Sequence, residues 1–188
     1  MNVLEEAILF ATKAHEGQKR KMTGIPYILH PLEVAGIIGT ITPDLEIMAA
    51  GVLHDTIEDC DVDPREIKER FGDRVSALVQ SETEDKLSDR PASETWKERK
   101  EDSLLMLHYT KDTGVRILWL GDKLSNMRSF YRSYLEKGNE IFAGLHMKDP
   151  AVQGWYYKSI AKELQELKDT EAYKEYVRLV EYVFGKDE

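Results

Sequence analysis

Apolar residues recur at helical spacing along almost the whole chain, and the clearest strand candidates are very short, so the fold must come from packing helices against one another. Leu4, Ala7, Ile8, Ala11 and His15 fall at i, i+3, i+4, i+7 and i+11, which predicts an amphipathic helix ending near Gly17. Residues 17–31 carry two glycines and two prolines around Tyr27 and Ile28, which reads as a connector with at most a small β-hairpin before a helix near Pro31. Asp44 is placed to cap a helix whose Leu45, Met48, Ala49, Val52 and Leu53 lead into His54 and Asp55. Pro64 starts a short helix to about Arg70, Gly72 breaks it, and Val75, Leu78 and Val79 mark the next. Residues 82–94 are the most polar stretch and are expected to form a mobile loop, before a helix from Trp96 to Tyr109. Residues 115–135 read as one long helix with Leu120, Leu124, Met127 and Tyr131 on one face and Asp122, Asn126 and Ser129 on the other. Two further helices follow, the last with Tyr173, Tyr176, Val177, Val180 and Phe184 on one side. No repeat or boundary interrupts this pattern, so the expectation is an all-α helical bundle forming a single domain over residues 1–188.

Composition narrows the partners. Thirty-five acidic residues against 26 Lys and Arg give a formal charge of −9, which excludes a broad basic face for polymeric nucleic acid. One cysteine, Cys60, cannot form an internal disulfide, and no window approaches the ~18 consecutive apolar residues of a membrane-spanning helix. The expected location is the cytoplasm.

The densest chemistry lies in His54-Asp55-Thr56-Ile57-Glu58-Asp59, one imidazole and three carboxylates in six residues at the end of an apolar helix. By itself this fits a solvated acidic helix end as well as a cation site, since carboxylates at a helix C-terminus oppose its dipole. His30, aimed by the turn before Pro31, and Asp122, on the polar face of the long helix, extend the set. Together His30, His54, Asp55 and Asp122 are the ligand types that hold Mn²⁺, Fe²⁺ or Zn²⁺ with coordination positions left for water, and the lack of thiolates speaks against a closed structural zinc site.

A His, a later His-Asp pair and a distant Asp resemble the HD-domain phosphohydrolases. Three blocks narrow the likeness: Ala14-His15-Glu16-Gly17-Gln18-Lys19-Arg20-Lys21 with Gly24-Ile25-Pro26-Tyr27-Ile28-Leu29-His30-Pro31, then the His54–Asp59 motif, then Gly121-Asp122-Lys123-Leu124-Ser125-Asn126-Met127-Arg128. In this order they are similar to the hydrolase domain of the RelA/SpoT alarmone enzymes. With no room in 188 residues for the synthetase or regulatory domains of the long enzymes, the expectation is a small stand-alone, Mesh1-like hydrolase. The resemblance implies a 3′-pyrophosphohydrolase converting ppGpp or pppGpp to GDP or GTP and pyrophosphate, with Mn²⁺ as cofactor. It implies Glu58 and Asp59 as the pair that orients or deprotonates the attacking water as general base, and Arg20, Lys21 and Asn126 at the nucleotide. Ser129 shares the face of Asn126. Two positions depart from the family: Gly121 replaces the usual Ala, and Ser125 replaces a His or Tyr, a change that bears on base selectivity. The loop around Met22 and Thr23 aligns one residue longer.

Other features have plainer readings. His15 completes an apolar stripe and reads as a core histidine. Trp96, Trp119 and Trp155 read as packing residues, Cys60 as a bystander, and Tyr27 as a brace for its loop. Arg128 and Arg132 are read either as reaching distal phosphates or as surface charges. The competing functions are an HD phosphohydrolase for another nucleotide, such as the 2′-phosphate of NADPH, and a non-catalytic nucleotide-sensing module. Either way the expected partner is a small nucleotide, with neither a nucleic-acid polymer nor a membrane.

Overall fold

The computed structural model describes residues 1–21, 23–84, 87 and 89–186. Helices α1 (Val3–Ala14), α2 (Leu29–Gly39), α3 (Leu45–Leu53), α4 (Thr56–Asp59) and α5 (Pro64–Glu82) form the first part, followed by α6 (Ala92–Tyr109) and α7 (Thr113–Lys137). A 3₁₀ segment, Gly138–Gly144, leads to α8 (Pro150–Glu163), and a second, Gln165–Leu167, to α9 (Glu171–Phe184). The fold is all-α, and among the described residues the extended structure is a single bridge between Lys19 and Pro26. No helix of the described residues is long and apolar enough to cross a membrane.

The helix starts follow from their caps. The Asn2 side chain accepts from Glu5 N–H while the Glu5 carboxylate accepts from Asn2 N–H. Asp44, Asp63, Asp112 and Asp149 each accept a first-turn N–H of α3, α5, α7 and α8. Pro31 lies in the first turn of α2, where its missing N–H leaves no helical bond unmade. Within α5, Gly72 takes φ 90° and ψ 170°, the break expected there.

Helix α7 is the axis of the molecule. It packs against α2, α3, α5 and α9, and Leu118, Leu120, Leu124 and Met127 are fully buried, each contributing about 1.5–3 kcal/mol of apolar burial. Two glycines let the helices approach closely. A Cβ on Gly121 would stand 2.9 Å from Ile38 Cγ1 and 3.3 Å from Val34 O, and one on Gly51 would stand 2.5 Å from Ile38 Cδ1. Gly121 therefore lets α7 sit against α2 one residue before Asp122.

The structure refines the sequence expectations in two places. The acidic motif lies at the end of an apolar helix, as expected, and divides there: α3 closes at Leu53, His54 and Asp55 form a tight turn, and α4 follows. Thr56 Oγ1 donates to Leu53 O at 2.7 Å, satisfying a carbonyl the turn frees. The expected 82–94 loop is shorter, because Glu82 ends α5 and Glu84 is clamped by Lys100 and by Arg99 at 2.9 Å. The part of that expectation falling on residues 85, 86 and 88, like Met22 in the first loop, lies outside the described residues.

Candidate metal centre and adjoining cleft

Four side chains from three elements meet where α2, the α3–α4 turn and α7 converge. His30 Nε2 lies 3.1 Å from Asp122 Oδ1 and 3.6 Å from Asp55 Oδ2, and His54 Nε2 lies 3.0 Å from Asp55 Oδ2 and 3.5 Å from Asp122 Oδ1. Ligand atoms of His30, His54 and Asp122 fall within 4.8 Å of one another. All three residues are at most 4% exposed. His54 Nδ1 faces Gly51 O at 2.8 Å, and a carbonyl can only accept, so Nδ1 carries the proton. His54 Nε2 is buried without a hydrogen-bond partner. Such an orphaned nitrogen beside two carboxylates fits a divalent cation bound by nitrogen and oxygen.

The electrostatics agree with that fit. Burial opposes ionisation of Asp122, yet Lys123 and the two imidazoles hold its carboxyl well below the usual range. Burial likewise opposes the charge on Asp55, and His54 holds it low. Burial pushes His30 down, whereas for His54 the flanking carboxylates outweigh burial and push it up. Tyr27 braces the ligand set: its hydroxyl donates to Asp55 Oδ2 at 2.7 Å and lies 3.4 Å from Asp59 Oδ2. Burial and Asp55 keep that phenol protonated.

Beside this centre opens a cleft of about 600 Å³, lined by the Lys19–Lys21 loop, Asp59, Asn126 and Ser129 together with Trp96, Tyr156 and Tyr157. The Lys19–Pro26 bridge shapes the cationic loop, with Arg20 N–H bonded to Ile25 O at 2.9 Å and Gly24 at φ 70°. Arg20 Nη2 donates to Asn126 Oδ1 at 2.9 Å, and Asn126 Nδ2 donates to Asp122 Oδ1 at 2.6 Å. Arg20, Asn126 and Asp122 thus form a chain from the loop to the metal centre. Asp59 is exposed on the cleft, while Glu58 is half-buried with its carboxylate 3.5 Å from Glu84 N. The two acidic residues therefore point to different surroundings.

Residues 7–151 match the family model described as HD domain. The chain belongs to the HD-domain family. As a member, it is 34% identical over 143 residues to a GTP pyrophosphokinase of Myxococcus xanthus. It is 39% identical over 138 residues to a guanosine-3′,5′-bis(diphosphate) 3′-pyrophosphohydrolase of Aquifex aeolicus. These matches take in 75% and 73% of this chain but 19% of each relative, so the HD-domain chain corresponds to about a fifth of their length. A crystal structure from Listeria monocytogenes EGD-e superposes with TM-score 0.72 at 28% identity, covering 84% of this chain and 99% of that one. A metazoan orthologue of SpoT that hydrolyses ppGpp superposes with TM-score 0.73 at 22% identity, over 97% and 95% of the two chains, a likeness of fold. The RelA/SpoT resemblance of the three sequence blocks agrees with these relatives.

For several residues of this HD domain the structure settles or adds to the sequence reading. Arg128 is not aimed at the cleft: it is held by Glu175 through two bonds of 2.7 Å and by Glu33 at 3.2 Å. Ser125 is fully buried, with its hydroxyl 2.8 Å from His30 Nδ1, and is not among the residues lining the cleft. Trp96 is buried as expected but also forms cleft wall, edge-on to Tyr156 with ring centroids 5.7 Å apart. His15 is buried, stacked on Tyr27 at 4.9 Å, with Nδ1 2.8 Å from Gln18 Oε1 and 3.2 Å from Cys60 Sγ.

Sequence reading missed Lys123 and Glu82. Lys123 Nζ sits against Asp122 Oδ2 and 4.7 Å from the centre of the Trp119 ring, and Asp122 keeps it charged despite burial. The Glu82 carboxylate, 3.9 Å from Lys123 Nζ, is pushed up to about 8 by burial. The Asp122-Lys123 dipeptide carried a signal for the first. Nothing local marked Glu82, whose role depends on α5 meeting α7.

Proposed function

We propose that the chain is a single-domain, Mn²⁺-dependent hydrolase that removes pyrophosphate from the 3′ position of ppGpp or pppGpp, leaving GDP or GTP. The observation that carries this is the convergence of His30, His54, Asp55 and Asp122 beside a cleft whose lip presents Lys19, Arg20 and Lys21. His30, His54, Asp55 and Asp122 would hold the ion. When bound, it supplies Lewis acidity toward a phosphate oxygen and lowers the pKa of a water.

The remaining work falls to side chains. Arg20 and Lys21 neutralise the nucleotide's phosphates, and the planar Arg20 guanidinium suits a base face or a bidentate phosphate contact. Asn126 and Ser129 orient the nucleotide from α7. Asp59, open to the cleft, accepts the proton of the attacking water, and Glu58 supports it from the α4 side. Tyr27 holds Asp55 and Asp59 in register. The acidic balance of the chain suits this role, because the cation centre offsets local negative charge where a compact polyanion must enter.

The proposed location is the cytoplasm, in keeping with a single half-buried cysteine. A side-by-side screen of ppGpp, pppGpp, NADPH and other 3′-phosphorylated nucleotides tests the substrate. Pyrophosphate release from the guanosine alarmones in preference to the rest is expected. Preferred phosphate release from NADPH, or calorimetric binding of ppGpp without turnover, overturns it.

A further inference from the structure

The two candidate histidine ligands each carry a proton on Nδ1, held there by different partners. For His54 the Nδ1 partner is the backbone carbonyl of Gly51, which no side-chain substitution removes. For His30 it is the Ser125 hydroxyl, 2.8 Å from Nδ1. That hydroxyl has one proton, and it is committed: Ser125 Oγ donates to Glu33 Oε2 at 2.7 Å. Its oxygen must therefore accept from His30, so His30 carries its proton on Nδ1 and turns the lone pair of Nε2 toward Asp122 and Asp55. The other Glu33 oxygen accepts from Arg128 at 3.2 Å, and Arg128 is fixed by Glu175 on α9.

The placement repeats on both helices. His30 and Glu33 stand one turn apart on α2, and Asp122 and Ser125 one turn apart on α7, so the ligands meet at one level and their supports at the next. Ser125 is fully buried, and the His that the RelA/SpoT resemblance offers as one alternative there would bring no hydroxyl for His30 and Glu33 to share.

We propose that Ser125 and Glu33 are positioning residues for His30, a carboxylate–hydroxyl–imidazole relay that fixes its tautomer and sets the affinity of the centre for a divalent cation. The inference rests on the metal-centre reading above. Ligand-orienting partners of this kind typically change metal affinity by about 10–100-fold when removed. Arg128 and Glu175 extend the relay to α9, tying the C-terminal helix to the orientation of a ligand 98 positions before Arg128 in the sequence.

The test uses full-length protein with ¹⁵N-labelled histidine, freed of metal and then titrated with Mn²⁺ alone. In the wild type the neutral ring of His30 should show the Nδ1–H form. In Ser125→Ala that form should give way to a mixture, with His54 unchanged, and the Mn²⁺ dissociation constant should rise about 10–100-fold. Glu33→Ala should do the same and Glu33→Gln, which keeps an acceptor, should lose less; these two variants carry the test if Ser125→Ala does not fold. An unaltered His30 tautomer, or unaltered Mn²⁺ affinity, overturns the relay. Failure of the wild type to bind Mn²⁺ at all contradicts the metal-centre reading instead, and it is distinguishable because the tautomer is read without metal.

Discussion

Arg20 Nη2 and Asn126 Oδ1 lie 2.9 Å apart although 106 positions separate them in the sequence. One residue comes from a loop bounded by Gly17 and Pro26, the other from the central helix, and both line the cleft. Because each already holds the other, an incoming nucleotide competes for a bond that positions both.

Single substitutions Arg20→Ala and Asn126→Ala should raise KM for ppGpp by about 10–100-fold with a smaller change in kcat, the loss expected for hydrogen bonds to charged groups at ~1.5–3 kcal/mol. The double variant should lose less than the product of the two, since the residues share a contact. Steady-state kinetics on the four proteins measures both effects; strict additivity would show that the pair acts independently.

Asp122→Ala should abolish metal retention and turnover together, read by elemental analysis after dialysis and by product formation. It should also lower the melting temperature, because buried Lys123 loses the carboxylate in contact with it and keeps only Glu82 at 3.9 Å, a cost of up to about 3–5 kcal/mol. Wild-type metal content in this variant would remove Asp122 from the ligand set.

Gly121→Ala, the residue more usual in the RelA/SpoT pattern, should destabilise this protein by about 1–3 kcal/mol, since the added methyl meets Ile38 and the Val34 carbonyl. Urea denaturation reports the change. An unchanged midpoint would mean that α2 and α7 separate without cost.

Glu82 supplies a pH dependence. Burial raises its pKa from 4.5 to about 8 in the folded, metal-free protein. Between those values the folded state binds the proton more tightly than the unfolded chain does, so this contribution is fully present below pH ~4.5 and declines as pH rises toward 8. The stability of the wild type relative to Glu82→Gln should therefore fall between pH 5 and pH 8, measured by denaturant titration at each pH. A constant difference would contradict a raised Glu82 pKa.

Local chemistry carried much of this in the sequence. Asp44 and Pro64 mark helix starts because capping and the missing proline N–H act within one turn, and Gly72 marks its break for the same reason. His30, His54, Asp55 and Asp122 were separable from ordinary polar residues by type and context, and the structure brings them together. What stayed hidden depends on which helix faces which. Spacing put Arg128 near the Asp122 face but could not show Glu33 and Glu175 waiting for it. Ser125 stood out only as a departure from the family's His or Tyr, and its place under His30 follows from the 100° of helical rotation that separates it from Asn126. Trp96 reaches the cleft wall through the packing of α6 against α8.

The central claim is most directly tested by incubating the purified protein with ppGpp and Mn²⁺ and quantifying pyrophosphate and GDP together. Equimolar release of the two, abolished by chelation, is the predicted result. No product at enzyme levels where the Aquifex aeolicus relative is active, or release of inorganic phosphate without pyrophosphate, would contradict it.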